Sequence, residues 1–267
     1  MRRKLLPSVL LSCVIALVAS MLAATSTSAA SSARQRDRLE VYVGEIAVGQ
    51  LQQLLALGVD REALRVSAVR GARGAKATVR VEAILSKAQV SRLGAQGVDL
   101  KAKMIDGQTV TARATAQAAE GYTVFKKYAG PGGLREEFAK VAKNHPHITK
   151  LVNIGASVNG EQIVALKVTK GANRSIDGAK PAVLYLGAQH AREWITPEMI
   201  RRLMHRVVDG YRTKPSLHRL LNRNELWFVP VANPDGYDFT FGEGQRLWRK
   251  NLRDNNKDGE ITPGDGV

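Results

Sequence analysis

One cysteine, Cys13, is all the thiol this 267-residue chain contains. A disulfide within the chain is therefore excluded. Because Cys13 falls in a leader expected to be removed, thiol chemistry is excluded from the mature protein as well. Aromatic residues make up 5% of the sequence, and residues 31–119 are nearly devoid of them. After residue 24 no run is apolar enough to span a membrane. Acidic residues are outnumbered 24 to 40, giving a formal charge of +16, or +13 once Arg2, Arg3 and Lys4 are set aside. Such a chain should adhere to polyanions. Its basic residues are nevertheless scattered, as in Arg201-Arg202, Arg219 and Arg223, without the interleaved aromatics or recognition helix of a nucleic-acid groove. A solvated basic surface is expected, and no nucleic-acid function.

Residues 1–30 read as a signal peptide. Met1-Arg-Arg-Lys4 is a positive start, residues 5–24 an apolar stretch broken by Pro7, Ser8, Ser12 and Ser20, and Ser28-Ala-Ala30 a small-residue cleavage site. The apolar run continues past Cys13, which argues against lipid attachment there. A secreted, extracellular protein without stable membrane association is expected.

Residues 31–119 carry an internal repeat. Gln50-Leu-Gln-Gln-Leu-Leu-Ala-Leu-Gly-Val-Asp60 parallels Gln89-Val-Ser-Arg-Leu-Gly-Ala-Gln-Gly-Val-Asp99. Each copy predicts a short amphipathic helix closed by a Gly cap and a return strand, preceded by an apolar strand at 39–43 or 78–84. The result is β-α-β twice, a small α+β unit. Residues 109–120, rich in Ala, Thr and Gln, read as a linker with a candidate activation site near Arg113, or equally as a connecting helix.

From residue 121 the pattern becomes α/β. A helix is predicted at 134–143, stopped by Asn144-His-Pro146. Strands follow at 151–154 and 163–168, joined through Asn159-Gly160. A buried strand at 183–186, a helix from about 197 to 212 with Thr196 as N-cap and Pro197 at its first position, and a strand at 225–231 complete part of a sheet. Between the buried strand and that helix stands His190-Ala-Arg-Glu193. A catalytic zinc takes about three ligands from His and Asp/Glu, and two of them three residues apart can reach one ion. The pair lies beyond the carboxyl end of a strand, where open α/β sheets place their sites.

With these motifs the chain resembles the zinc metallocarboxypeptidases related to carboxypeptidases A and B. The same frame holds His190-x-x-Glu193. Downstream, Phe228-Val-Pro-Val-Ala-Asn-Pro-Asp-Gly-Tyr237 and Arg246-Leu-Trp-Arg-Lys250 resemble the segments leading to that family's active-site arginine. Upstream, Gly121-Tyr-Thr-Val-Phe-Lys-Lys-Tyr128 and Ile154-Gly-Ala-Ser-Val-Asn-Gly-Glu-Gln-Ile-Val-Ala-Leu-Lys167 are similar to the start of its catalytic domain. The resemblance covers residues 120–267, the first half of a mixed-sheet α/β catalytic domain, and gives residues 31–119 the place of a prosegment, with a structural domain lacking an inhibitory role as the alternative. It implies one zinc ion on His190 and Glu193, Arg249 as the group that polarises the scissile carbonyl, and Arg192 in contact with a more remote part of the substrate. The implied substrate is the C-terminus of a peptide or protein, and a monomer is expected. In the family a third ligand His, a general-base Glu and an Asn-Arg pair that grips the terminal carboxylate come later, past Val267. Residues 1–267 alone are therefore expected to be inactive, and the alternative is a non-catalytic secreted module keeping the first half of the fold.

Three further features have readings of their own. Trp194 and Trp248 are expected to pack rather than bind substrate, and His205 and His218 to be solvated. Asp254, Asn256, Asp258 and Asp265 stand at positions one, three, five and twelve of a loop with Gly at six. That is close to a calcium-loop pattern, though it ends in Asp where a bidentate Glu is usual. An Asx- and Gly-rich turn is the alternative.

Overall fold

The computed structural model describes residues 38–59, 61–69, 77–120 and 124–267. The leader with Cys13, and residues 121–123 of the Gly121-to-Tyr128 motif, lie outside the described residues. Among the described residues no helix is long and apolar enough to cross a membrane.

The repeat folds as its pattern predicts. Strand β1 (Leu39–Ala47), helix α1 (Leu51–Ala56) and strand β2 (Leu64–Ala68) form the first copy; β3 (Thr78–Ser86), α2 (Lys87–Ala95) and β4 (Lys101–Ala102) form the second. Their strands make one antiparallel sheet in the order β2-β3-β1-β4. Leu54, Val81, Ala83, Leu85 and Leu93 are fully buried between sheet and helices. Gly58 and Gly97 end the two helices at φ 71° and 78°, the left-handed conformation that a Cβ disfavours. Equivalent glutamines then cross between copies: Gln50 Nε2 donates to Gly97 O at 3.0 Å and Gln89 Nε2 to Leu57 O at 3.2 Å. Each also accepts from the backbone N–H that precedes its own helix, Ala47 and Ser86. The repeat thus forms one reciprocal unit.

A two-residue hairpin, β5 (Met104–Ile105) and β6 (Gln108–Thr109), leads into helix α3 (Val110–Ala119). Thr109 Oγ1 caps it by accepting from Ala112 N, and Thr111 hydrogen-bonds to the Glu40 carboxylate. Of the two readings of residues 109–120, the structure takes the helix. Arg113 lies inside it, paired with Asp106.

The second unit is a mixed sheet built from β7 (Thr149–Ala156), β8 (Gln162–Val168), β9 (Ala182–Leu186) and β10 (Glu225–Val229), in the order β7-β8-β10-β9. The β7–β8 and β8–β10 pairs are antiparallel, whereas β10–β9 is parallel. Helices α4 (Leu134–Asn144), α5 (Ile195–Gly210) and α6 (Pro215–Arg223) pack Phe138, Met204, Val207 and Leu221 against Leu166, Val168, Leu226 and Phe228. Alternate strand positions put those four sheet residues on one face, and each fully buried side chain contributes about 1.5–3 kcal/mol. On the other face Lys167 pairs with Glu225 at 2.9 Å, neither side chain having any exposure.

Two expectations are corrected, and one element is added. First, β9 is the edge strand of the sheet that the described residues form, and in that sheet Val183 is 47%, Leu184 60% and Leu186 38% exposed. A continuous apolar run reports preference for burial, not whether a neighbour exists. Second, α5 starts at Ile195 with Trp194 as N-cap, because Thr196 Oγ1 instead donates back to Glu193 O and accepts from Ala188 N. The added element is the helix at residues 215–223, which carries the exposed His218 against Tyr211.

His205 is half-buried rather than solvated. Its Nε2 donates to Glu137 on α4 at 2.7 Å, beside Lys126 Nζ at 2.7 Å and Arg201 Nη1 at 3.0 Å. Burial alone would raise the Glu137 pKa. The hydrogen bonds from Lys126, His205 and Arg201 outweigh it and hold the carboxyl at about 2. The unfolded chain therefore takes up this proton near its ordinary value of 4.5, while the folded chain resists until about pH 2. Stability rises with pH across that window. After allowance for solvent screening, about 2 kcal/mol is expected to be lost as pH falls from 5 to 2. Urea titrations of Glu137→Gln should show that much less pH dependence than the parent chain; parallel curves would remove Glu137 from the account.

Candidate active site

The loop after β9 is held from three sides. Gly187 accepts no side chain, since a Cβ would stand 2.6 Å from Pro230 O and 2.8 Å from Ile200 Cδ1. Ala188 follows at φ 44°, a strained conformation for a residue with a Cβ. It is stabilised by the Thr196 hydroxyl at its N–H and by Asn233 N, which donates to its carbonyl at 3.1 Å. Beyond it His190, Arg192 and Glu193 emerge on a turn closed by Glu193 N donating to His190 O.

Helix α7 (Pro234–Phe239), entered through the Asn233 N-cap, carries the chain to the second half of the site. Asp238 accepts from Tyr128 N and Ala129 N, with its pKa raised by burial against those bonds. Asp235 accepts from Ser157 Oγ and Asn159 N and so holds the β7–β8 turn. Asn233 Nδ2 donates to Lys250 O at 3.0 Å and Gln189 O at 3.5 Å, joining the two loops. Ala191 N donates to Arg249 O at 2.9 Å.

These ties bring His190, Glu193 and Arg249 together. His190 Nδ1 lies 2.7 Å from Glu193 Oε1, and Arg249 Nη2 donates to His190 Nε2 at 2.7 Å. A guanidinium can only donate, so Nε2 accepts and the imidazole proton sits on Nδ1 toward the carboxylate. The side chains of His190 and Glu193 are 31% and 43% exposed. An imidazole nitrogen and a carboxylate oxygen converging at this distance match two of the roughly three protein donors that zinc takes. Among the described residues no group of three His, Cys, Asp or Glu is placed to hold a metal ion. Arg192 Nη1 donates to Leu247 O at 3.4 Å.

Trp194 and Trp248 are 3% and 4% exposed and pack as expected. Sequence reasoning assigned no role to Asn233 or Arg246. The first could have been found from the Asn-Pro-Asp-Gly helix start; the second has no local signal. The N-terminal unit lies over the site: Leu39, Val59, Ile84 and Gln89 line a cavity of about 70 Å³ together with Arg192, Trp248 and Arg249. Arg38 reaches Glu243 nearby at 3.4 Å.

The loop at residues 254–265 takes the form of an Asx- and Gly-rich turn. Asp254 accepts from Lys257 N and Gly259 N, and Asp258 from Glu260 N. The buried Asp265 accepts from Asn255 N and Thr262 N, and these bonds lower its pKa. Its carboxylates are thus turned onto their own backbone.

The sequence profile described as "Zinc carboxypeptidase" matches residues 134–267. A protein named "Zinc carboxypeptidase" from Saccharothrix mutabilis subsp. capreolus is 35% identical over 120 residues, 45% of this chain and 27% of that protein. A protein from Arthroderma benhamiae named an inactive metallocarboxypeptidase is 34% identical over 105 residues, 39% of this chain and 17% of its own length. Among solved structures, carboxypeptidase A from Helicoverpa armigera superposes with a TM-score of 0.55 at 25% identity, covering 81% of this chain and 53% of that one. The chain thus spans about a quarter or less of the length of these named relatives and about half of the solved structure.

Proposed function

The chain belongs to the zinc carboxypeptidase family, and from that premise we propose that the protein is a secreted, zinc-dependent peptidase removing C-terminal amino acids from peptides. The convergence of His190, Glu193 and Arg249 on one point carries this reading. His190 and Glu193 would hold the metal. When bound, zinc supplies Lewis-acid chemistry that polarises a carbonyl and makes water nucleophilic near neutral pH. Arg249, a fixed cation beside the pair, donates hydrogen bonds to the carbonyl oxygen as negative charge develops on it. Arg192, between the two ligands in the same turn, orients a more remote part of the peptide. The N-terminal unit serves as a prosegment, a role supported by the cavity that Leu39, Val59 and Gln89 line together with Arg192 and Arg249.

Two donors fall short of a catalytic zinc set, and no general base is identified among the described residues. Residues 1–267 by themselves are therefore expected to release no C-terminal residue measurably. The protein secreted by its natural host is expected to do so, to stop on chelation and to recover with zinc. Chelator-sensitive release by residues 1–267 would overturn the first expectation. No release by the host's protein would favour a non-catalytic secreted module, a reading to which a similar protein named inactive also lends weight.

A further inference from the structure

We propose that Arg246 is a positioning residue, clamping the segment of His190 and Glu193 onto the segment of Arg249; the inference rests on the reading of His190 and Glu193 as zinc ligands. The Arg246 guanidinium lies 3.9 Å from the centre of the Trp194 ring. On that ring Phe241 also stacks, with centroids 4.1 Å apart and planes within 10°. Two groups this close to one centroid cannot share a face, so the indole is held between them. Its edge is fixed as well, by Nε1 donating to Thr240 Oγ1 at 2.7 Å and by Phe125 tilted at 5.5 Å. The ring is a rigid platform rather than a mobile surface side chain.

The same guanidinium makes a second contact, Nη1 donating to Arg192 O at 2.8 Å. It therefore grips the residue before Glu193 by its carbonyl and the residue after it by its ring. Glu193 is bracketed between two points fixed by one planar group. Arg246 is itself three residues from Arg249, whose carbonyl accepts from Ala191 N. The two contacts close a short loop of interactions in which displacement of one segment must strain the other. A guanidinium can stack and donate in its plane at once. A lysine ammonium keeps the charge but cannot do both. Groups that orient metal ligands without touching the metal commonly alter its affinity by tenfold or more on removal.

The test compares the parent chain with Arg246→Met, Arg246→Lys and His190→Ala, using zinc alone as the probe in calorimetric titration and amide hydrogen exchange at Ala191 without metal. Both Arg246 variants are expected to bind zinc about tenfold more weakly and to exchange the Ala191 amide about tenfold faster, while the exchange of core amides in β8 stays as in the parent. Parental zinc affinity in either Arg246 variant, with affinity lost in His190→Ala, would overturn the clamp and leave the ligand reading standing. Should His190→Ala also keep zinc affinity, the ligand reading fails instead; Ala191 exchange then decides the clamp, and an unchanged rate overturns it.

Discussion

Lys167→Ala is expected to destabilise the unit of residues 124–267 by about 3–5 kcal/mol, the loss typical when one partner of a buried ion pair is removed. Both Lys167 and Glu225 are without exposure, 2.9 Å apart, and Asp177 is the ammonium's second partner at 2.9 Å. Burial disfavours each charge, yet hydrogen bonds to Asp177 and Glu225 raise the pKa of Lys167, and those from Gly178 N, Lys167 and Trp227 lower that of Glu225. Without the lysine, Glu225 would remain ionised and buried on its face of the sheet with its cation gone. It could not simply be replaced by an alkyl group either, because Oε2 accepts from Gly178 N and Trp227 Nε1. A Lys167→Met, Glu225→Gln double variant removes both charges while keeping an acceptor there. It should recover at least half of the single variant's loss. Urea denaturation decides: a loss under about 1 kcal/mol for Lys167→Ala would mean that the pair behaves as if solvated.

His190→Ala and Glu193→Gln are each expected to weaken zinc binding by two orders of magnitude or more, exceeding the tenfold to hundredfold effects of residues that merely support a ligand. The alanine removes the nitrogen donor, and the amide replaces an anionic oxygen by a weaker neutral one. Both side chains are partly exposed, so neither change opens a cavity and unfolding midpoints should hold. Arg249→Met gives the contrast, since it removes the cation that faces His190 Nε2 but no donor. Competition against a chromophoric chelator reads all three. Parental affinity in both ligand variants would remove the pair from the metal site.

Local signals were legible in the chain, and signals that join distant segments were not. The Gly-capped repeat and α4 follow from residues within one turn of each other, as does the hairpin at Asn159-Gly160. His190 and Glu193 were visible for the same reason, being three apart beside a strand. The edge position of β9 was not, because Val183, Leu184 and Leu186 have the composition of a strand covered on both faces. His205 gave no sign that Glu137, on another helix, would take it up. Likewise the stacking of Arg246 on Trp194 and the approach of Arg249 to His190 span the whole α5–α6 crossover. In a sequence such pairs leave only two unremarkable letters far apart.

Parallel strands cannot be joined by a tight turn, and β9 reaches β10 only through that crossover. Pairing of this kind closes a long stretch of chain before it is rewarded, which makes it slow relative to the β7–β8 hairpin. The candidate ligands hang behind β9, whereas Arg249 and the segment that steadies them hang behind β10. The site is consequently a product of late folding: a chain that has formed its hairpins and helices but not this closure holds each half and no centre. Zinc that favours the closed arrangement would act on the population of folded chains by mass action, drawing the final pairing forward.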